Sequence, residues 1–584
     1  MSWLDFPRAL RQRPALRLGE KFLRVWRRGG LAGLWWQLRQ LDSQTRGYAD
    51  WLKRESVNEA GEKARLQEEM AALANLPRIS IIMPVCDPPE RWLQRAIDSV
   101  RQQSYPHWEL CIADDASCSK PVRQQLRTAA AADSRIRVVF RQSRGHICAA
   151  TRTALELATG EFITFLDHDD EFASEALAYV ACEIGRHPET DVLYSDEDLI
   201  GTDGRRYNPY FKPDWNPELL RSQNYLCHLV VYQATLLRSL DILGPEVQGS
   251  QDWDLALQAT ERAQSIRHLP RILYHWRSLP GSTAYSDTAK LYALEAGRHA
   301  VQAHLRRSGE TAEVDLLPFG HLRVRRPAPA LRLSVIVFEA DSATTAPLLP
   351  RALRHLLRPH VEVLYVTHDA IPADRHDCRL PERLNQAARK ATGEILIFVD
   401  SRCQPTTPDW LATLTAEAGR PGIGAVGARL LMPDQRVWHA GYLLDPKTVV
   451  RHPYRGAPLH FAGQRNRALL QQDVAAVSGT CLTVKRALFE HLNGFDPASG
   501  PYFDVDLCLR LQENDQRNIW TPWATLVLHA AKTFDSGRSA GTPRNRQALC
   551  HMQAKWHDKL QQDPAGHREL RIDCGLLVPK KGQR

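Results

Sequence analysis

The sequence predicts two α/β domains in tandem, each built on a largely parallel sheet, behind a basic helical leader. Three observations predict this. From Ile79 onward, short apolar runs of strand length alternate with helical stretches. The same order of runs returns about 230 to 255 residues further on. The proline-rich, charged segment RRPAPA at 325–330 separates the two series.

The leader, residues 1–77, is helical in pattern. Phe22, Val25 and Trp26 share one helical face, and Leu31, Leu34, Trp35 and Leu38 share another beyond the Gly29-Gly30 break. Residues 1–46 carry ten Arg/Lys against three Asp/Glu, a large part of the net charge of +9. Tryptophan and arginine on amphipathic turns suit a helix lying on an anionic membrane surface. They equally suit an arm that packs its tryptophans onto the following domain.

The bulk numbers exclude several classes. A length of 584 residues suggests roughly three or four structural units, and a 43 % apolar content supports a large core. A charge of +9 over this length gives no reason to expect nucleic acid. The twelve cysteines are scattered singly with no Cys-x-x-Cys pair, which argues against structural zinc and against a disulfide framework. The first residues lack signal-peptide features, and no run of about 18 apolar residues marks a membrane span. The expected setting is a reducing cytoplasm.

The first domain, residues 78–318, opens with ISIIMPV (79–85) as a buried strand. A helix ERWLQRAIDSVRQQ, a strand WELCIADD, a helix HICAATRTALELATG and a strand EFITFLDHDD follow. In such sheets ligands bind beyond the carboxyl ends of the strands. Both acidic pairs, Asp114-Asp115 and Asp169-Asp170, stand at that end. Asp167-x-Asp169 closes an apolar strand, an awkward place for unpaired negative charge. A divalent cation relieves the repulsion, since Mg²⁺ and Mn²⁺ prefer oxygen ligands, and it can hold a diphosphate in turn.

The second domain, residues 330–545, echoes the first. ATGEFITFLDHDD (158–170) returns as ATGEILIFVDSRC (391–403), ISIIMPV as LSVIVFE, QDWDLALQ as FDVDLCLR, and LYHW as LVLH. Residues 546–584 are polar and basic and read as a frayed tail.

Taken together, ISIIMPV, WELCIADDAS, ATGEFITFLDHDDE, KPDWNPELLRSQNYLCHL (212–229), GSQDWDLALQ and LYHWRSLPGSTA resemble the GT-A-fold glycosyltransferases of family 2. More narrowly, they resemble the bacterial members that build lipopolysaccharide or other surface polysaccharides. The resemblance covers about residues 79–285. It implies two tandem GT-A-like domains and an inverting transfer of sugar from a nucleoside diphosphate donor to a glycan acceptor. That acceptor would be lipid-linked at the cytoplasmic membrane face. A Mn²⁺ or Mg²⁺ cofactor is implied as well.

Position by position, the resemblance places Pro84 and Val85 in the nucleotide pocket and Asp114 or Asp115 on the base. Asp167 would approach ribose and metal, Asp169 would be the principal metal ligand, and His275 and Arg277 would meet the metal–diphosphate side. Asp252 would be the general base, with Asp254 as the fallback. His146 and His168 read as ordinary structural histidines.

Aligning VDSRC with LDHDD sets Asp400 against Asp167 but Arg402 against Asp169, and an arginine cannot ligate a cation. The equivalent nucleotide strand offers only Asp369, while Asp504, Asp506 and His529 persist. The second domain is therefore expected to be a retired or metal-independent copy, with Arg402 contacting phosphate or glycan. A bifunctional chain with both domains active is the alternative.

Other readings compete less well. A non-enzymatic carbohydrate-binding scaffold leaves the intact acidic set unexplained. A nucleotidyltransferase calls for a glycine-rich phosphate loop after the first strand, where CDPPERW has no glycine. GIGAVG (422–427) fits a dinucleotide-binding pattern, but it has a helix before it and an apolar strand after it. That is the reverse of what the motif requires.

Overall fold

A computed structural model describes residues 15–279, 291–317, 320–339, 360–366, 380–529, 543–573 and 575–580. The chain divides into two compact units. The first comprises residues 44–215 and 220–324 with 579–584, and the second comprises 1–43, 216–219 and 325–578.

The first unit contains a nine-stranded sheet. Its strands are β1 (Ile79–Val85), β2 (Trp108–Asp114), β3 (Ile136–Phe140), β4 (Phe162–Phe165), β5 (Glu171–Phe172), β6 (Val192–Ile200), β7 (Arg206–Tyr210), β8 (Val230–Gln233) and β9 (Ile266–Arg277). They lie in the order β3-β2-β1-β4-β8-β6-β9-β5, with β7 against β6. The strands β3, β2, β1 and β4 are parallel, as the alternation of strand and helix requires. The other half is mixed: β8 runs antiparallel to β4 and β6, and β5 runs antiparallel to β9. β1 and β2 are buried almost throughout, the signature of a central parallel strand covered on both faces. One core joins Ile79, Ile81, Met83, Leu110 and Ile112 to helix residues Leu93, Ile97, Leu126, Leu177 and Val180.

The second unit repeats this sheet almost strand for strand. Its strands are β10 (Leu333–Phe338), β11 (Val361–Val366), β12 (Ile395–Asp400), β13 (Cys403–Pro405), β14 (Ile423–Leu431), β15 (Val437–His439), β16 (Gln472–Val474), β17 (Cys481–Lys485) and β18 (Arg517–Leu528). The order is β11-β10-β12-β17-β14-β18-β13, with β15 on β14 and β16 on β18. Each neighbour keeps the sense of its counterpart. β10 is parallel to β11 and β12, β17 is antiparallel to β12 and β14, and β18 is parallel to β14 and antiparallel to β13.

A buried hydrogen-bond cluster is repeated as well. In the first unit Ser80 Oγ donates to Glu109 Oε1 (2.6 Å), and the amide of Gly160 reaches both Ser80 Oγ (2.9 Å) and Glu109 Oε1 (3.1 Å). In the second, Ser334 donates to Glu362, and the amide of Gly393 reaches Ser334 Oγ (2.8 Å) and Glu362 Oε1 (3.1 Å). The glycine is required by close approach, since a Cβ at position 160 would stand 2.6 Å from Ser80 Oγ. The glycine of the repeated ATGE occupies the same place in each cluster.

One expectation needs correcting. Residues 546–580 are not a frayed tail: helices Pro543–Lys555 and His557–Gln561 and strands Leu570–Asp573 and Leu576–Pro579 fold here, burying Met552, Trp556 and Leu560. Their apolar residues are spaced among charges, which hides the buried face in composition. The leader is helical over Ala15–Ala72 with a break at Gly30 (φ 57°), and two of its tryptophans are packed. Trp36 lies 5.3 Å from Phe461 in the second unit, and Trp51 lies 5.6 Å from Phe211 in the first. The side chains of Phe22, Val25 and Trp26 and residue Asp369 fall outside the described set. Among the described residues no helix is long and apolar enough to cross a membrane.

Candidate active site

Parallel pairing of β1 with β2 and β4 brings the carboxyl ends of three strands together, with Val85 opposite Asp114. Pro84 O lies 3.2 Å from His168 Nδ1, and Val85 O accepts from the Asp115 amide at 2.8 Å, so these main-chain groups brace the acidic loops. The two acids of the β2 end differ. Asp115 Oδ1 is taken by Arg141 Nε (2.9 Å) and the Gly145 amide (2.8 Å). Asp114 is fully buried, and its Oδ1 has no hydrogen-bond partner.

The Asp167-His168-Asp169-Asp170 loop follows β4. Asp170 is its anchor, because Tyr274 Oη donates to Oδ2 and the Arg277 amide to Oδ1, each at 2.6 Å. Burial, then the neighbouring Asp169 and Asp167, push the Asp170 carboxyl far above the aspartate range. Burial likewise raises Asp169, reinforced by Asp167. Among the described residues no side chain donates a hydrogen bond to the carboxylates of Asp167 or Asp169. Asp167, Asp170 and His228 each bring one ligand atom within 4.8 Å of the others. The His228 ring stacks on Tyr274 with centroids 4.5 Å apart, which fixes its plane beside the loop.

Asp252 stands in the first turn of the helix Gln251–Arg262, where the helix dipole favours a carboxylate. Its Oδ2 accepts from Asn224 Nδ2 at 2.9 Å and lies 3.6 Å from Cys227 Sγ. Burial raises its pKa, against the pull of His228 and with the push of Asp167, so both ends of the site feel each other's charge. Asp254, the fallback base, is committed elsewhere, with Gln258 Nε2 2.8 Å and Arg307 Nη2 4.0 Å away.

The structure departs from expectation at two positions. Arg277 is fully buried and stacked on Trp92 at 4.2 Å. Its Nε donates to Asp169 O (2.7 Å), Nη1 to Gly201 O (3.3 Å) and Nη2 to Glu171, so the guanidinium ties the acidic loop to β5 and to the end of β6. His275 Nδ1 is held 2.7 Å from Asp198 Oδ1, and the cluster that could hold a cation contains His228 rather than His275. Asp198, buried on β6, is also bound by Arg206 Nε (2.6 Å) and Tyr48.

The sequence reading missed His228, Asn224 and Cys227. All three lie in NYLCH, within the 212–229 segment that carried the resemblance but had no chemical role attached to it. Lys212, in the same segment, is fully buried. It pairs with Glu197 Oε2 (3.3 Å) and donates to Leu226 O (2.6 Å) and His228 O.

Register translates the site into the second unit. Phe162 opposes Gln233 as Ile395 opposes Lys485, so counting back along the strand His228 falls at Thr480, Cys227 at Gly479 and Asn224 at Ala476. Asp170 falls at Cys403. Asp400 is forked by Arg402, while Asp504 accepts from the Gly479 amide (2.7 Å) and that of Val505 (2.8 Å). Asp506 is bound by Arg510, Trp556 and Lys555. His529 is not the counterpart of His275. Glu171 opposes His275 but Gln404 opposes Val527, so His529 matches Arg277, and its Nε2 lies 2.9 Å from Gln404 Oε1.

The family model of glycosyl transferase family 2 matches residues 80–241. The chain is 36 % identical over 547 residues to the uncharacterized protein y4gI of Sinorhizobium fredii, covering 88 % of this chain and 60 % of that one. It is 33 % identical over 556 residues to the O-antigen biosynthesis protein RfbC of Myxococcus xanthus, covering 90 % and 43 %. Over 192 residues it is 30 % identical to WcaA of Escherichia coli K12, described as a colanic acid biosynthesis glycosyl transferase, covering 32 % and 67 %. The chain belongs to glycosyl transferase family 2, with GT-A-like sheets in both units. It spans about half the length of the first two relatives.

Proposed function

We propose that the first unit transfers a sugar from a nucleoside diphosphate donor to a glycan acceptor, with inversion, in the assembly of bacterial surface polysaccharide. The observation that carries this reading is the meeting of two charge systems at the strand ends, the Asp167–Asp170 loop with His228 and the helix-borne Asp252. Relatives named for O-antigen and colanic acid synthesis support the polysaccharide setting.

Asp114 reads the base, because its buried Oδ1 awaits a donor such as a pyrimidine N–H. The carboxylates of Asp167 and Asp170, grouped with His228, and the neighbouring Asp169 would hold a divalent cation, and the carboxylate oxygens suit Mn²⁺ or Mg²⁺. When bound, such an ion neutralises charge on the departing diphosphate. Asp252 takes the proton of the acceptor hydroxyl, and its raised pKa brings it nearer the operating pH, where a base is most effective. Attack from the face opposite the diphosphate inverts the anomeric centre. Arg277 and His275 serve as positioning residues that hold the acidic loop and β6 in register.

The second unit is a copy that has given up metal chemistry, with Arg402, Cys403 and Thr480 where the first has Asp169, Asp170 and His228. A second reading, in which both units transfer sugar, draws on Asp504 keeping the register of Asp252. The acceptor is lipid-linked and met at the inner face of the cytoplasmic membrane. Exposed Leu31 (76 %) and Trp35 (52 %), with Arg39 5.0 Å over the Trp35 ring, offer an interfacial face.

Release of nucleoside diphosphate from UDP-, dTDP- and GDP-sugars, with and without Mn²⁺ and a lipid-linked glycan extract, tests the reading. Metal-dependent, acceptor-stimulated release that Asp169→Ala abolishes supports it. Release that survives in Asp169→Ala points to the second unit, and no release from any donor sinks the transferase reading.

A further inference from the structure

We infer that Asn224 is the positioning residue of the transfer step, fixing the orientation of the candidate base from the turn 224–228 that also carries the candidate ligand His228; this rests on the proposed role of Asp252. Asn224 makes two bonds at once. Its Nδ2 donates to Asp252 Oδ2 at 2.9 Å, and its Oδ1 accepts from the Cys227 amide at 3.4 Å. The Cys227 thiol approaches the same Oδ2 at 3.6 Å. Both side chains converge on one carboxylate oxygen, leaving Oδ1 as the oxygen neither of them reaches.

A carboxylate torsion is broad and roughly twofold, so an unpinned aspartate presents its oxygens over a wide arc. An amide pins it without titrating, because Asn carries a permanent donor and no ionisable proton. The next residue in the turn is His228, which lies with Asp167 and Asp170. The turn itself is held from beneath. Buried Lys212, charge-compensated by Glu197 at 3.3 Å, donates to the carbonyls of Leu226 and His228. Three neighbouring side chains on one short turn thus face two different parts of the site.

The duplicated half supplies an independent observation. Asp504 keeps the register of Asp252, yet the side chains at the equivalents of Asn224, Cys227 and His228 are those of Ala476, Gly479 and Thr480. There the main-chain amide of Gly479 donates to the Asp504 carboxylate oxygen at 2.7 Å. The acid is shared by both units, and the asparagine at 224 is not. The two units therefore diverge at the turn as well as at the Asp-x-Asp loop.

The test uses the full chain with Asn224→Ala, Asn224→Gln and Asp252→Asn side by side. Turnover is read on whichever of UDP-glucose, UDP-N-acetylglucosamine, dTDP-glucose and GDP-mannose the wild type consumes, with a lipid-linked glycan extract as acceptor. For Asn224→Ala the expectation is a kcat loss of about 10²-fold, the size of effect a misplaced reacting group produces. KM for the donor and the affinity for Mn²⁺ should be unchanged, and Asn224→Gln should recover part of the rate. Wild-type kcat in Asn224→Ala overturns the inference, as does a parallel loss of donor and Mn²⁺ binding, which would mark a merely structural role. Wild-type transfer by Asp252→Asn overturns instead the reading of the base. A crystal structure of Asn224→Ala gives a readout free of turnover. The Asp252 carboxyl should leave its wild-type orientation, and an unchanged single orientation overturns the inference.

Discussion

Arg402 forks the carboxylate of Asp400, with Nε 2.9 Å from Oδ1 and Nη2 2.8 Å from Oδ2, both residues buried in the second unit. The guanidinium thus supplies, from two residues away, the positive charge that the equivalent acids of the first unit leave unsupplied. Planar bidentate pairing of this kind is strong and geometrically specific. Removing one partner of a buried pair strands the other charge, at a cost of roughly 3–5 kcal/mol. Arg402→Ala is expected to lower Tm markedly in a thermal unfolding scan. A Tm equal to wild type would show that Asp400 is hydrated and the pair unimportant.

Metal dependence should divide the two halves. Mn²⁺ is expected to raise the Tm of wild type, and Asp167→Asn and Asp169→Ala should each lose that rise. Arg402→Asp should add no second rise, since Cys403 and Thr480 stand where the first unit has Asp170 and His228. A second Mn²⁺-dependent rise in Arg402→Asp is the result that would count against this division.

Asp252 sets the acid side of the pH profile. Burial places its pKa above the ordinary aspartate value of 3.8, and only the ionised form accepts a proton. The transfer rate should therefore fall as pH drops through a midpoint above 3.8. Asp252→Asn should bind donor normally and lose transfer by roughly 10²–10⁴-fold, the contribution of a positioned base. Initial rates across pH and equilibrium donor binding check both parts.

His268 ties stability to pH. Its Nε2 lies 3.0 Å from Asp196 Oδ1 and its Nδ1 2.9 Å from Asp214 Oδ1. Burial opposes the charged form, but the two carboxylates outweigh it and raise the pKa above 6.5. The folded protein thus holds this proton more tightly than the unfolded chain does. The resulting stability is complete below pH 6.5 and is lost as pH rises through the raised value, each tenfold of proton affinity being worth about 1.4 kcal/mol. Denaturant titrations should show that His268→Gln lacks this alkaline decline.

The leader helix offers a membrane test that spares the fold. Trp36 is packed against Phe461, whereas Leu31 and Trp35 face outward. Leu31→Glu with Trp35→Glu should weaken co-sedimentation with phosphatidylglycerol vesicles and leave Tm unchanged. Equal binding by wild type and variant would remove the interfacial role.

The fold was legible because its signals are local and periodic. Strand-length apolar runs, helical stretches and the ATGE repeat mark β1, β2, β4, β10 and β12 without reference to distant residues. The mixed half of the sheet was hidden, since no local pattern states that β8 runs antiparallel to β4. In the site, Asp167 and Asp252 stood out as acids at strand and helix ends. His228 and Asn224 did not, because their chemistry depends on a turn whose partners lie far away in sequence, at Asp170 and Asp252. Arg277 was visible but misread, as an arginine beside carboxylates looks the same in sequence whether it serves a ligand or the protein's own backbone.

The Ser80–Glu109–Gly160 cluster does no chemistry, yet its twin Ser334–Glu362–Gly393 repeats it bond for bond. Counting domains and counting enzymes are then separate tasks in chains of this kind. A search keyed to the Asp-x-Asp that follows the ATGE strand finds one half here, whereas one keyed to a buried serine, a glutamate and a threonine-glycine corner finds two. Ancestry is written in the scaffold's fastenings, and occupation in the loops they leave free to change.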